Sequence, residues 1–243
     1  MKMRRWWCLW VWVVISGWAW GQKIDSRRDA SLNVLQPEVD LIDAPTASIL
    51  DYGSYSGRVR FYSEGGALGY ISFGVLQRLN LGASLNVQRL IGNATPVDAQ
   101  RPEVQIRLRF YDGSRYLPAF AVGFESQGYF YDRLKKDYLE RERGLYLVAS
   151  REIGLQGLFG HAGMNISDFN SDYLFGFLGL NFNIEDAVSL IAEYDNIRTF
   201  DVSRFNAGLR VFATPFFHFD FAVREIGKGN LERIIQIKYT GNF

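Results

Sequence analysis

From Ser54 onward, hydrophobic and polar residues alternate in short runs separated by Gly, Asn, Asp and Pro. The clearest run is residues 103–110. There Val104, Ile106, Leu108 and Phe110 fall on one face, and Glu103, Gln105, Arg107 and Arg109 on the other. A strict period of two is the pattern of a strand with one apolar and one polar face. Residues 204–211, 217–221 and 235–239 repeat it, and residues 58–62 do so more briefly. Extending the reading along the chain predicts about twelve strands. They lie near 54–63, 67–78, 80–90, 102–111, 117–127, 144–153, 155–166, 173–184, 187–197, 202–213, 216–226 and 231–243. Lengths near ten residues suit a tilted strand crossing the apolar layer of a membrane, and an even count returns both ends to one side. The expected fold is all-β, a single closed antiparallel transmembrane β-barrel of about 12 strands, with about 10 or about 14 as the alternatives.

Connection lengths agree with that topology. The turns at Arg78–Leu79, Gly154, Glu185–Asp186 and Thr214–Pro215 are short, and would face the periplasm. The two longest connections, Ile91–Arg101 and Gly128–Arg143, fall at the opposite end, although the first connection there, Glu64 to Gly66, is also short. Phe243, with Tyr239, Ile237 and Ile235 on the same face, resembles an outer-membrane assembly signal, so Tyr239 and Phe243 are expected to be read by barrel-assembly machinery. Gly241 departs from the bulky residue usual on that face.

The first residues are of another kind. Lys2, Arg4 and Arg5 precede an uncharged apolar run from Trp6 to Trp20, and small residues flank a cleavage position after Gly21. This is the layout of a secretory signal peptide over residues 1–21, with an uncleaved anchor helix as the rival reading. Residues 22–50 are polar and irregular and are read as a periplasmic lead or plug, leaving 51–243 as the barrel. All six Trp and the single Cys, Cys8, fall within the first 21 residues. The remainder therefore has no thiol for disulfides, catalysis or metal binding. The chain's 27 Lys+Arg against 26 Asp+Glu give no nucleic-acid footprint, and no cofactor is implied. The 19 Phe and 13 Tyr would supply interfacial girdles.

Candidate chemistry sits on the polar strand faces. The expected lumen residues are Arg58, Arg60, Glu103, Arg107, Arg109, Glu125, Glu193, Asp195, Arg204, Arg210, His218, Asp220, Arg224 and Lys238. They would either select solutes by charge or fill the barrel as a salt-bridged network. His218 and Asp220 share a face and could orient a base for Ser189 or Ser203, but no nucleophile motif accompanies them, so the chain is read as non-enzymatic. Residues 168–172 resemble the start of a calcium loop, yet Tyr173 and Gly179 stand where glycine and glutamate are required, so no metal site is expected. The charged stretch 132–143, with Leu134 and Tyr138 four apart, suggests one or two helical turns over the mouth. Its Lys135, Lys136, Arg141 and Arg143 would face lipopolysaccharide phosphates or an acidic polysaccharide.

Several stretches resemble the YjbH family of exopolysaccharide-associated outer-membrane proteins and their uncharacterised relatives: residues 40–50, 107–123, 144–151, 190–195 and, more weakly, 206–210. The motifs are strand-and-turn signatures. The resemblance implies an outer-membrane barrel surrounded by lipid and lipopolysaccharide, with polysaccharide as a partner, and brings no catalytic residues. A narrow channel, an accessory in surface or exported polysaccharide handling, and a structural or binding barrel without conduction all remain open. So does a soluble periplasmic β protein, because a half-buried sheet writes the same alternation.

Overall fold

The computed structural model describes residues 38–243 except 94, 95, 115, 133, 135, 136, 141, 142, 168–172, 200 and 230, and also excludes the side chains of residues 137 and 140. The expected signal peptide, residues 22–37 and the calcium-loop resemblance at 168–172 lie outside the described residues.

Fifteen strands follow in order: β1 (Ser54–Tyr62), β2 (Gly66–Leu76), β3 (Leu79–Gln88), β4 (Asp98–Ala99), β5 (Glu103–Tyr111), β6 (Ala119–Glu125), β7 (Tyr129–Asp132), β8 (Asp137–Glu140), β9 (Gly144–Glu152), β10 (Leu158–Ile166), β11 (Leu174–Ile184), β12 (Val188–Ile197), β13 (Arg204–Thr214), β14 (Phe217–Arg224) and β15 (Glu232–Asn242). Each long strand pairs antiparallel with the next, and β15 pairs back with β1, from Ser54 opposite Asn242 to Phe61 opposite Ile235. The result is a closed barrel of 12 antiparallel strands, as the alternation predicts. Closure gives each of the 12 barrel strands a partner on both sides, which a lone sheet in lipid could not do.

The pleat decides which face each residue takes. Along β5, Val104, Ile106, Leu108 and Phe110 are exposed on the outside, while Glu103 and Arg107 are buried inside. The same polarity holds around the ring. Val59, Ile71, Leu81, Leu178, Leu190, Phe221 and Ile235 are exposed, and Arg60, Asn80, Asn181, Glu193, Arg210 and Gln236 are buried. A soluble barrel would hide the first set. This one hides the second, the inside-out polarity of a membrane barrel. The short turns gather at the end where β1 begins and β15 ends, and the longer connections gather at the other.

The stretch 132–143 corrects an expectation. It forms no helical turns among its described residues; β7 and β8 pair as a small hairpin over the long-loop mouth. Tyr131 and Tyr138 meet across the hairpin with ring centroids 5.2 Å apart, edge to face. That cross-strand pair and the burial of Tyr138 outweigh the weak spacing of Leu134 and Tyr138, and Leu134 is left fully exposed at the tip.

Gly241 has a physical reason. A Cβ there would lie 2.7 Å from the Tyr55 ring, which covers the glycine from the neighbouring strand. Tyr55, Phe73 and Phe243 cluster at this rim, with Phe73 and Phe243 stacked at 6.1 Å. Tyr239 and Phe243 are both exposed on the outer face.

Candidate functional site: an inner segment in an arginine cradle

Residues 38–50 precede β1 and fold as a tight hairpin. The Leu41 N–H donates to the Ala44 carbonyl at 3.0 Å, the Thr46 N–H donates to the Val39 carbonyl at 3.0 Å, and Asp40 bridges Pro45. The Thr46 hydroxyl ties the two arms by donating to the Glu38 carbonyl at 2.6 Å. Proline suits its place here, since it has no N–H to satisfy and its φ is fixed. Leu41, Ala44, Ala47 and Leu50 are buried; Leu41 belongs to a cluster with Leu68, Ile191 and Ile234 of the wall, and Ala44 and Ala47 to one with Ala121, Val148 and Phe177.

The apex is held by a wall carboxylate. The Ile42, Asp43 and Ala44 N–H groups all converge on Glu193 Oε1 of β12, at 2.6, 3.0 and 2.9 Å. Asn206 of β13 donates to the other oxygen at 3.1 Å. Successive backbone N–H groups aimed at one carboxylate form an anion-binding nest, here supplied by the segment for the wall.

The Ala47 N–H likewise donates to Ser150 Oγ of β9 at 2.7 Å, whereas the ion pairs run the opposite way, from wall cations to segment oxygens. Asp40 is bound by Arg107 of β5 at 2.6 Å and Arg58 of β1 at 3.1 Å. Asp43 is bound by Arg60 of β1 at 2.7 Å and Arg224 of β14 at 2.6 Å. Glu38 accepts from Arg210 of β13 at 2.9 Å. The same guanidinium groups also reach main-chain oxygens: Arg107 to Val39 at 2.6 Å, Arg210 to Asp40 and Leu41 at 3.2 Å, and Arg60 to Ile42. Burial alone would raise the Asp40 carboxyl, but Arg107 and Arg58 outweigh it and hold the group well below the ordinary carboxylate range. Burial likewise opposes ionisation of Asp43, and Arg224 and Arg60 reverse it in the same direction. Neither residue belongs to a spanning strand.

The arginines are themselves oriented. Arg58 stacks over the Tyr70 ring at 3.8 Å, and Arg107 donates from Nε to the Tyr146 hydroxyl at 2.7 Å. Arg60 donates to Gln236 at 3.0 Å and to Tyr129 of the outer hairpin. Arg210 makes a two-pronged pair with Asp220, at 2.8 and 2.9 Å. Planar guanidinium against carboxylate is the geometry that favours Arg over Lys at such sites.

Space follows this arrangement. A cavity of about 930 Å³ opens at the long-loop end, lined by Ser63, Gln88, Phe130, Leu139 and Arg233 among others. Another of about 590 Å³ opens at the short-turn end, beside Ala47, Ser48, Arg109, Arg151 and His161. Between them, near the hairpin's apex, lies a gap of about 50 Å³, lined by Arg58, Arg60, Arg143, Arg204 and Arg224 with Asp40 and Asp43.

Of the expected lumen residues, Arg58, Arg60, Arg107, Glu193, Arg210 and Arg224 meet the inner segment directly. Asp220 is buried behind Arg210, and Asp195 pairs with Arg143 at 2.9 Å. Lys238 is buried opposite both Arg58 and His218 in the strand register. Glu125 is half-buried and accepts from Gln105 at 3.1 Å; Arg204 lies 3.7 Å from Glu225. Two residues stand apart from the centre. Glu103 is at the long-loop rim with Arg101 and Tyr138, and Arg109 is at the short-turn rim with Asp112.

His218 does not assemble a triad. Its Nε2 lies 3.6 Å from Asp220 and its ring packs against Phe212, while Ser203 bonds Tyr194 at 2.8 Å and Ser189 is opposite Arg210. Arg143 corrects an expectation, because it is buried and turned inward to Asp195 and to the Asp43 carbonyl at 3.1 Å rather than outward to lipopolysaccharide. Lys135, Lys136 and Arg141 lie outside the described residues. The sequence reading named no site residue before Ser54, and so missed Glu38, Asp40 and Asp43; it also missed Tyr129. A usable signal was present in the two aspartates three apart, flanked by apolar residues and closed by Pro45.

No protein-family model and no curated protein matches the chain. Among solved structures it is similar to the KdgM porin, at a TM-score of 0.50 and 10% identity over 78% of this chain and 99% of that one. It is equally similar to the KdgM porin in complex with disordered oligogalacturonate, at a TM-score of 0.50, 11% identity and the same 78% and 99% coverage. A mutant porin of Rh. blastica aligns at a TM-score of 0.40 and 7% identity over 78% of this chain and 98% of that one.

Proposed function

We propose that the chain is a non-enzymatic outer-membrane channel for carboxylated oligosaccharides, closed by residues 38–50 in the state described above. The observation that carries this reading is the row of inward guanidinium groups, Arg60, Arg107, Arg210 and Arg224 buried and Arg58 partly so, facing a passage between two wide mouths. Inward arginines bind carboxylates in fixed geometry, and a ring of them selects anions. Two independent resemblances support the substrate class. The KdgM porin has been solved with oligogalacturonate, an acidic sugar chain, and the strand-and-turn motifs resemble the exopolysaccharide-associated YjbH family. A closed barrel with an apolar exterior supports placement in the outer membrane, with lipid and lipopolysaccharide as its surroundings in this reading. The exposed aromatics Tyr239 and Phe243 on and just after β15 are its assembly signal.

A second reading, a binding or structural barrel without conduction, draws on the number of bonds that fix the segment. Planar-bilayer recording separates the two. The full chain carrying Asp40→Asn and Asp43→Asn weakens the segment's hold while leaving every barrel strand intact. Anion-selective single-channel steps from this variant support the channel. A variant that is fully folded yet silent overturns it in favour of the non-conducting barrel.

A further inference from the structure

The inner segment and the wall divide their charges unequally. Arg143, Arg210 and Arg224 each have a carboxylate partner on the barrel or its loops, in Asp195, Asp220 and Glu232. Arg58, Arg60 and Arg107 differ. Among the described residues, their carboxylate partners are Asp40 and Asp43 alone. All three are aligned by tyrosines, Tyr70, Tyr129 and Tyr146, so they keep their direction without help from the segment. Lifting the segment out would leave three oriented guanidinium groups lining the lumen with no carboxylate in direct contact among the described residues, Glu125 facing the same space at longer range, a costly arrangement unless another anion takes the place.

The segment also presents its oxygens as an acidic sugar chain does. Carboxylates at Glu38, Asp40 and Asp43 alternate with neutral acceptors, the Val39, Leu41 and Ile42 carbonyls, and the same arginines hold both kinds. A polymer of uronic acids offers carboxylates spaced by hydroxyl and ring oxygens.

From this we infer that residues 38–50 are an internal competitor for the transported ligand: a carboxylated oligosaccharide takes Arg58, Arg60 and Arg107 from Asp40 and Asp43 and displaces the segment from the lumen. This rests on the channel reading and adds its gate. Opening is then coupled to substrate, because only a ligand that replaces the lost ion pairs can move the equilibrium. Neutral sugars lack that differential affinity and leave the segment seated.

The test uses the full chain in proteoliposomes, with Cys8→Ser and a single Ala44→Cys as a reporter. Ala44 is completely buried beneath the apex, so a polar maleimide reaches it only when the segment leaves. Oligogalacturonate is expected to accelerate labelling at least tenfold, and maltotriose at the same concentration to leave it unchanged. Leu41→Cys, also completely buried, repeats the measurement should Ala44→Cys fail to fold. Parallel bilayer recording of the Asp40→Asn, Asp43→Asn chain tells the two failures apart. If oligogalacturonate passes or blocks that open variant while labelling of the reporter does not change, the competitor mechanism is overturned and the channel stands. If the variant neither conducts nor is blocked, both fall together.

Discussion

At the scale of single residues, Glu193 is the pivot of the site. Replacing it with Ala would leave the Ile42, Asp43 and Ala44 N–H groups buried without an acceptor, at roughly 1–3 kcal/mol for each. Glu193→Ala should therefore raise reporter labelling without any ligand, whereas Glu193→Gln, which keeps a carbonyl oxygen, should do so much less. Asp40 and Asp43 set a pH window. Both are held below the ordinary Asp value of about 3.9 when seated. Their contribution to seating is thus complete above about pH 5 and is lost as the pH falls below it. In the Glu193→Gln background, which removes the wall carboxylate at the apex, labelling divided by that of the same cysteine in the unfolded chain at each pH should therefore stay flat from about pH 8 to pH 5 and climb only beneath it. A rise near neutral pH in that background would show that groups other than Asp40, Asp43 and Glu193 hold the segment. The wall half of this site was legible in the sequence because period two assigns every second residue of a strand to the lumen, as it did for Arg60, Arg107 and Arg210. The segment half was not, since residues 38–50 carry no period and their partners are up to 172 positions away.

Elements add constraints that no single position reveals. The hairpin of β7 and β8 turns Tyr129 back into the mouth, where it meets Arg60 and packs edge-on against Tyr62 at 5.5 Å. Tyr129→Phe keeps the ring and removes the bond, and is expected to cost about 1–2 kcal/mol in detergent melting while loosening Arg60. Charge density in 132–143 suggested helical turns, but burial of tyrosines on one face of the hairpin decided otherwise, a tertiary choice that local spacing cannot foresee. Arg143 was hidden for the same reason: it ends a run of surface-like charges, and only the start of β9 turns it inward. Between β5, β6 and β9, Gly123 leaves room for the Tyr146 ring that positions Arg107, since a Cβ there would lie 2.3 Å from the Tyr146 oxygen. Gly123→Val should overpack this spot by about 1–3 kcal/mol and lower the temperature at which the folded barrel survives in detergent.

Over the whole molecule, stability depends on which way the barrel faces. Apolar residues cover the outside and the ionic network fills the inside, so equivalent changes on the two faces should differ sharply. Leu178→Arg, on the outer face of β11, is expected to cost about 2–4 kcal/mol at the bilayer midplane and to deplete the assembled form. Strand count, closure and the short-turn end were all readable from alternation and connection lengths. The filled lumen was not, because twelve strands are compatible with either an open or an occupied interior. The most direct measurement is cell fractionation followed by electrophoresis of unboiled and boiled samples in the cold. The barrel described here should be found in the outer-membrane fraction and migrate faster before boiling than after. A protein that is soluble in the periplasm, with no shift on boiling, would contradict the account and turn its lumen residues into surface ones.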